Sequence, residues 1–163
     1  MVNGEVVTAS RSPAIVEILL IEDNPGDVKI TVEAFRDAKV SARVHTVENG
    51  EDALRYLRGQ PPYIDQGTPN LVVLDLNLPT VSGYDVLIAM KADERLKSIP
   101  VLVISSSENP ADVNRAYANQ ASVYLKKPVD LDQYFTMVRA IKDIWFRFAM
   151  LPAAEASRSA SCS

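Results

Sequence analysis

Short apolar runs recur along the chain at intervals that suit a strand followed by a helix. They are Glu17-Ile18-Leu19-Leu20-Ile21, the stretch Ser41 to Val47, Leu71-Val72-Val73-Leu74, Ile99-Pro100-Val101-Leu102-Val103-Ile104, and Ser122-Val123-Tyr124-Leu125. Isolated apolar runs of this length read as strands, and the run at 71–74 as one buried on both faces. The segments between them carry helical spacing. Val28, Val32 and Phe35 give an inward stripe over Pro25 to Ala38, and Ala53, Leu54 and Leu57 give one over Gly50 to Arg58. A third helix starts near Ser82, a suitable N-cap, and ends near Asp93. The fourth opens at Asn109-Pro110, a cap followed by proline at the first helical position, and the fifth follows Asp130. Gly59 to Gly67 is loop-like by composition. Five such units predict an α/β domain with a doubly wound, five-stranded parallel sheet and right-handed crossovers.

The polar residues that close these runs add chemistry. In an open parallel sheet, ligands collect at the carboxyl ends of the strands. Glu22 and Asp23 end the first strand, Asp75 the third, Ser105 the fourth, and Lys127-Pro128 follow the fifth. Each has an ordinary structural reading too. Asp75 and Ser105 suit loop caps and turns, the acid pair suits a helix start, and a loop lysine is usually solvated. Asp27, in the first turn of the first helix, is expected to act only as a helix-start residue. If strands one and three are neighbours, Glu22, Asp23 and Asp75 converge. Such carboxylates repel unless protons or a cation neutralise them. An all-oxygen set of this kind suits Mg²⁺, which also prepares an aspartate to attack a phosphoryl group. Lys127 is a compact charge suited to a phosphate oxygen, and Pro128 permits a cis peptide that would aim it.

Acid pair, aspartate, hydroxyl and Lys-Pro on four successive strand ends resemble a response-regulator receiver domain. The matching residues are Glu22-Asp23, Asp75 with Pro79 and Gly83, Ser105, Tyr124 and Lys127-Pro128. Ser105 lies 30 positions after Asp75 and Lys127 lies 52 after it, both typical of the family. The resemblance runs from about Ile15 to Leu151. It implies the flavodoxin-like strand order 2-1-3-4-5, which sets the strand of Asp75 beside that of Glu22 and Asp23. It also implies a phosphoacceptor signalling protein rather than an enzyme with a small-molecule substrate, although such domains assist their own phosphorylation and dephosphorylation. The donor would be a sensor histidine kinase. Asp75 would be the phosphoacceptor; Asp23 and Asp75 would hold Mg²⁺ with the carbonyl of Asn77, and Glu22 would act through water. Lys127 and Ser105 would hold phosphoryl oxygens, and Ser105 with Tyr124 would form the switch. Tyr124 also reads as a core aromatic. Pro-Gly-Asp after the acid pair, Leu-Asn-Leu-Pro after Asp75 and Lys-Lys-Pro-Val-Asp-Leu-Asp-Gln-Tyr-Phe look closest to the stand-alone regulators paired with phytochromes.

Two other functions compete. A haloacid-dehalogenase-type phosphatase also uses an aspartate nucleophile with Mg²⁺, but it needs a second acid where this chain has Asn77, which cannot act as a general acid or base. A phosphorylation-independent binding module is the other alternative, and the full set of pocket residues argues against it.

Composition narrows the classes further. The chain has 163 residues and a net charge of −4 with both signs mixed, so there is no basic footprint for nucleic acid. No run reaches the roughly 18 apolar residues of a membrane span, and the amino terminus lacks signal-peptide features. A lone cysteine, Cys162, fits a cytoplasmic setting. With His45 the only histidine, a histidine-based metal site or kinase core is not expected. Residues 1–14 and 152–163 read as flexible ends around a domain at 15–151. In the last helix, Leu131, Phe135, Val138, Ile141 and Trp145 form one apolar stripe, and Met137, Ile144, Phe148 and Leu151 an offset second one. A continuous helix from Leu131 to Leu151 would reach roughly 30 Å, longer than a five-residue strand of about 17 Å. Its projecting apolar end predicts a homodimer.

Overall fold

The computed structural model describes residues 15–152. The five strands are β1 (Val16–Ile21), β2 (Ala42–Val47), β3 (Leu71–Leu74), β4 (Val101–Ser105) and β5 (Val123–Lys126). They alternate with α1 (Pro25–Asp37), α2 (Gly50–Leu57), α3 (Gly83–Ala92), α4 (Pro110–Ala118) and α5 (Leu131–Ile141). The sheet is parallel throughout, in the order β2-β1-β3-β4-β5. Both the expected elements and the expected order are therefore present. The flexible ends expected at 1–14 and beyond Pro152, with Cys162, lie outside the described residues.

Strand periodicity explains why the three central runs, in β1, β3 and β4, are apolar at almost every position. Ile18 and Leu20, Leu71 and Val73, and Leu102 and Ile104 point to one face, under α1 and α5. Leu19 and Ile21, Val72 and Leu74, and Val101 and Val103 point to the other, with α2, α3 and α4. Successive side chains of a strand alternate between faces, so a sheet covered on both sides needs apolar residues at both parities.

Helix starts follow their caps. Asn24 accepts from the amides of Gly26 and Asp27, Asn49 from Asp52, Asn109 from Ala111 and Asp130 from Gln133. Ser82 and Asp85 form a reciprocal capping box. The inward faces differ in detail from the expected stripes. α1 buries Thr31 and Ala34 with Phe35, the Thr31 hydroxyl being satisfied by the carbonyl of Asp27 at 2.7 Å. α2 buries Tyr56 beside Ala53 and Leu57. His45 lies on β2 as expected, its Nε2 2.7 Å from Glu17 Oε2. Among the described residues the cis peptide bond is Pro61–Pro62, not Lys127–Pro128.

The last helix departs most from expectation. It is α-helical only to Ile141; Lys142–Phe148 is π-helical, and Ala149 is extended. Bonding from i to i+5 turns the chain through a smaller angle per residue, so adjacent Trp145 and Phe146 both pack on the core under α1, Phe146 meeting Phe35 edge-on at 6.5 Å. The chain then folds back, and Asn70 Nδ2 donates to the Pro152 carbonyl at 3.2 Å. No continuous helix to Leu151 projects beyond the sheet. Of the expected inner stripe, Val138 and Ile141 are buried and Phe135 and Trp145 pack against the core, with Tyr134 buried beside them; Leu131, in the first turn, is exposed. Ile144, Phe148 and Met150 remain exposed. No helix among the described residues is long and apolar enough to cross a membrane.

Candidate functional site

Register brings the chemistry to one edge. Ile21 pairs with Leu74, Leu74 with Val103, and Ser105 with Lys126. The residues just beyond those pairs, Glu22, Asp75 and Lys127, therefore leave the sheet side by side.

Asp75 is 5% exposed. Its amide donates to the Ile21 carbonyl at 3.0 Å, which extends the ladder by one residue. Its Oδ1 accepts from the Asn77 amide at 2.9 Å, a turn that fixes the carboxylate, and its Oδ2 accepts from Lys127 Nζ at 3.0 Å. Gly83 makes this loop possible. A Cβ there would lie 2.3 Å from the Asp75 carbonyl oxygen and 2.6 Å from Leu76 Cα, so only glycine lets α3 begin against the backbone of the aspartate.

Glu22 continues β1, its amide bonded to the Val47 carbonyl, and is 4% exposed. Burial pushes its carboxyl up to about 7, while hydrogen bonds from Lys127 and the Asn24 amide oppose the shift. Asp23, next in the chain, is exposed. Carboxylate oxygens of Glu22, Asp23 and Asp75 lie within 4.8 Å of one another. Three convergent oxygen donors with one open side suit a hard divalent cation such as Mg²⁺.

Lys127 is held by backbone and side chain alike. Its amide donates to the Ser105 carbonyl at 2.8 Å. Its Nζ reaches Glu22 Oε2 at 2.8 Å, Asp27 Oδ2 at 2.8 Å and Asp75 Oδ2 at 3.0 Å. An ammonium has three donors, and all three are used. Burial alone would lower the Lys127 pKa, but the hydrogen bonds to Asp27, Glu22 and Asp75 outweigh it and hold the group above its ordinary value.

Asp27 is thus more than the helix-start residue the sequence predicts. The first turn of α1 sits over the same strand ends, so an acid at its third position faces the lysine. The usable signal was positional: an acid on the helix turn that follows a strand-end pair belongs to that edge. Burial, with Asp27 nearby, also pushes Tyr134 up to about 12.

Ser105, 1% exposed, ends β4. Its Oγ accepts from the Ser107 amide at 3.3 Å. Tyr124 is half-buried, and its hydroxyl donates to the Ser107 carbonyl at 2.8 Å. Asn77 lies on the pocket loop with its amide on Asp75. Six of the seven predicted site residues thus lie at the carboxyl ends of the strands or on the loops that follow them, and Tyr124, within β5, reaches that edge through its hydroxyl. Beside Ser107 lie groups outside the expected site: Asp112, which accepts from the Ser107 hydroxyl, Tyr84, whose hydroxyl donates to the Asp112 carbonyl, and Arg115 over the Tyr84 ring.

A family model for the response regulator receiver domain matches residues 18–139. This chain belongs to that family. Response regulator Rcp1 of Synechocystis sp. is 36% identical to it, over 84% of this chain and 93% of Rcp1. The probable methanogenesis regulatory protein FilR2 of Methanothrix harundinacea is also 36% identical, over 92% of this chain and 94% of FilR2. Among solved structures, the phosphorylated cyanobacterial phytochrome response regulator RcpA has a TM-score of 0.82 at 38% identity, over 86% of this chain and 100% of RcpA. The Mn²⁺-bound form of Rcp1 has a TM-score of 0.80 at 35% identity, over 85% of this chain and 99% of Rcp1. The receiver is thus close to phytochrome-associated regulators over most of its length, and nothing in these likenesses favours a phosphatase.

Proposed function

We propose that Asp75 accepts a phosphoryl group from a phosphohistidine of a sensor histidine kinase. The observation that carries this is the arrangement around Lys127: one buried cation bonded to three carboxylates, with Asp75 on its turn at the pocket floor and Asp23 open to solvent beside it. An Asp75 oxygen attacks phosphorus, the P–O bond forms, and the P–N bond to the donor histidine breaks. Asp23 and Asp75, the carbonyl of Asn77 and, through water, Glu22 would hold Mg²⁺, which supplies charge neutralisation on the phosphoryl oxygens. Because all three Lys127 donors are engaged, holding a phosphoryl oxygen requires Lys127 to give up one carboxylate bond. The Asp75 bond is the one to yield, because forming the acyl phosphate removes that carboxylate's charge. Ser105, already at the strand end, donates its hydroxyl to a second oxygen. Phosphorylation adds about −1.5 to −2 charges, and this is what moves Ser105 and Tyr124.

Kinship with RcpA, a cyanobacterial phytochrome response regulator, supports a phytochrome-type kinase acting in the cytoplasm as the partner. Exposed Ile144 and Phe148 on the last helical segment support a homodimer through that surface.

Acetyl phosphate with Mg²⁺, followed by intact-mass measurement, tests the acceptor. One phosphoryl adduct is expected on the unaltered protein and none on Asp75→Asn, whose fold is retained. An adduct of equal yield on Asp75→Asn, or hydrolysis of many equivalents per chain, refutes the reading.

A further inference from the structure

Behind the pocket, the loop from β4 to α4 is tied to α4 by contacts that phosphoryl transfer does not itself require. Ser107 Oγ donates to Asp112 Oδ2 at 2.6 Å and accepts from the Asn109 amide at 3.2 Å. Its amide donates to Ser105 Oγ, and its carbonyl accepts from the Tyr124 hydroxyl. Ser107 is thus bonded both to the Ser105 hydroxyl and to the Tyr124 hydroxyl. Asp112, the other half of the contact, is anchored from α3. The Tyr84 hydroxyl donates to the Asp112 carbonyl at 2.9 Å, and the Arg115 guanidinium lies 4.0 Å from the centre of the Tyr84 ring. Tyr84 is itself buried, so this anchor is a rigid one.

We propose that Ser107 and Asp112 form a clasp that holds the receiver in its unphosphorylated arrangement, acting as positioning residues for Ser105. The inference rests on Asp75 being the phosphoacceptor. For Ser105 to turn its hydroxyl to a phosphoryl oxygen, it must either leave the Ser107 amide or draw Ser107 with it. Drawing Ser107 stretches a 2.6 Å charge-assisted bond whose far end is fixed to α3. Leaving it strands the amide in a part-buried loop. Either route works against the switched state. A bond of this kind corresponds to about a tenfold change in an equilibrium constant.

The clasp makes an unusual demand on its variants: removing a hydrogen bond should strengthen binding at a pocket it does not touch. The probe is beryllium fluoride, a noncovalent phosphoryl analogue, titrated with Mg²⁺ into the full chain and followed by amide NMR. Ser107→Ala should bind it about tenfold more tightly than the unaltered protein, and Asp112→Ala should shift in the same direction. Ser107→Thr, which keeps the hydroxyl, should restore the original affinity, and Ser106→Ala, an exposed neighbour, should not change it. Tyr84→Phe, which removes only the hydroxyl of the anchor, should tighten binding by a smaller factor. Amides of the first turn of α4 should exchange faster in Ser107→Ala before any ligand is added. A general loss of structure would weaken binding, so the direction separates a clasp from mere damage, and Tyr84→Phe carries the test if Ser107→Ala does not fold. Equal or weaker binding by the folded clasp variants, with the unaltered protein binding normally, overturns the clasp alone. Failure of the unaltered protein to bind overturns the phosphoacceptor reading and the clasp together.

Discussion

Replacing Lys127 with methionine removes the one cation bonded to Glu22, Asp27 and Asp75 while keeping an apolar stem of similar length. Glu22 and Asp75 are 4% and 5% exposed, so both are left in a buried site without their counter-charge. Breaking a buried ion pair from one side costs about 3–5 kcal/mol. The Asp27 side chain is 26% exposed, and its share is screened to about 1 kcal/mol or less. The site has one escape, protonation. Glu22 stands at about 7 with the lysine bond pulling it down, and without that bond it rises further. A carboxyl raised in the folded state costs stability that is absent below its ordinary pKa and grows as pH rises to the folded value. In the unaltered protein that growth ends near pH 7; in Lys127→Met it continues above. The deficit between the two proteins therefore widens from pH 7 upward, by at most about 1.4 kcal/mol per pH unit for one proton. Metal-free protein at pH 8 should be less stable by about 3 kcal/mol, a fall in midpoint of roughly 6–12 °C for a chain of this size. Urea titrations with chelator, followed by Trp145 fluorescence at pH 6.5, 8 and 9, measure it. Mg²⁺ should narrow the gap. A deficit under about 1 kcal/mol at pH 8, or one equal at pH 6.5 and 9, refutes the account of Lys127 as the charge that holds the pocket together.

Gly83→Ala should cost about 3 kcal/mol or more and lower phosphoryl uptake, because the new Cβ meets backbone of Asp75 and Leu76 that cannot move aside; thermal melting within 1 kcal/mol of the original would show that α3 can shift freely. Asp23→Ala should abolish Mg²⁺ binding at micromolar levels with little effect on stability, measured by calorimetry. Asp27→Ala should leave metal binding within a few-fold yet slow phosphorylation by releasing one Lys127 bond, so identical behaviour of the two variants would contradict the geometry. Replacing Ile144 and Phe148 together with Asp should leave a monomer that still takes phosphate at Asp75; sedimentation showing the unaltered protein to be monomeric at tens of micromolar, with and without phosphate, removes the dimer.

The pattern of the chain determined the strands, the helix starts and the edge on which the chemistry lies. These are local properties: a buried strand needs apolar residues at both parities, caps are read within three residues, and a strand end delivers the next side chain to a known edge. From them came Glu22, Asp23, Asp75, Ser105 and Lys127 as candidates for one edge, to which the resemblance to receivers added Asn77 and Tyr124. The resemblance to receivers then ordered the strands, which local pattern alone does not do. Tertiary structure decided what depends on distance between segments. Asp27 became a partner of Lys127 because α1 starts over the strand ends; its place in the first turn pointed to that edge, but no spacing within 25–38 states which group it meets there. Ser107 and Asp112 were joined through a loop and a helix turn, and were anchored by Tyr84 from a helix more than twenty residues earlier. The last helix changes its winding at Lys142, and adjacent Trp145 and Phe146 both reach the core there, which α-helical periodicity does not anticipate. Periodicity reports which residues can share a face, whereas only the packed structure shows which neighbour that face meets.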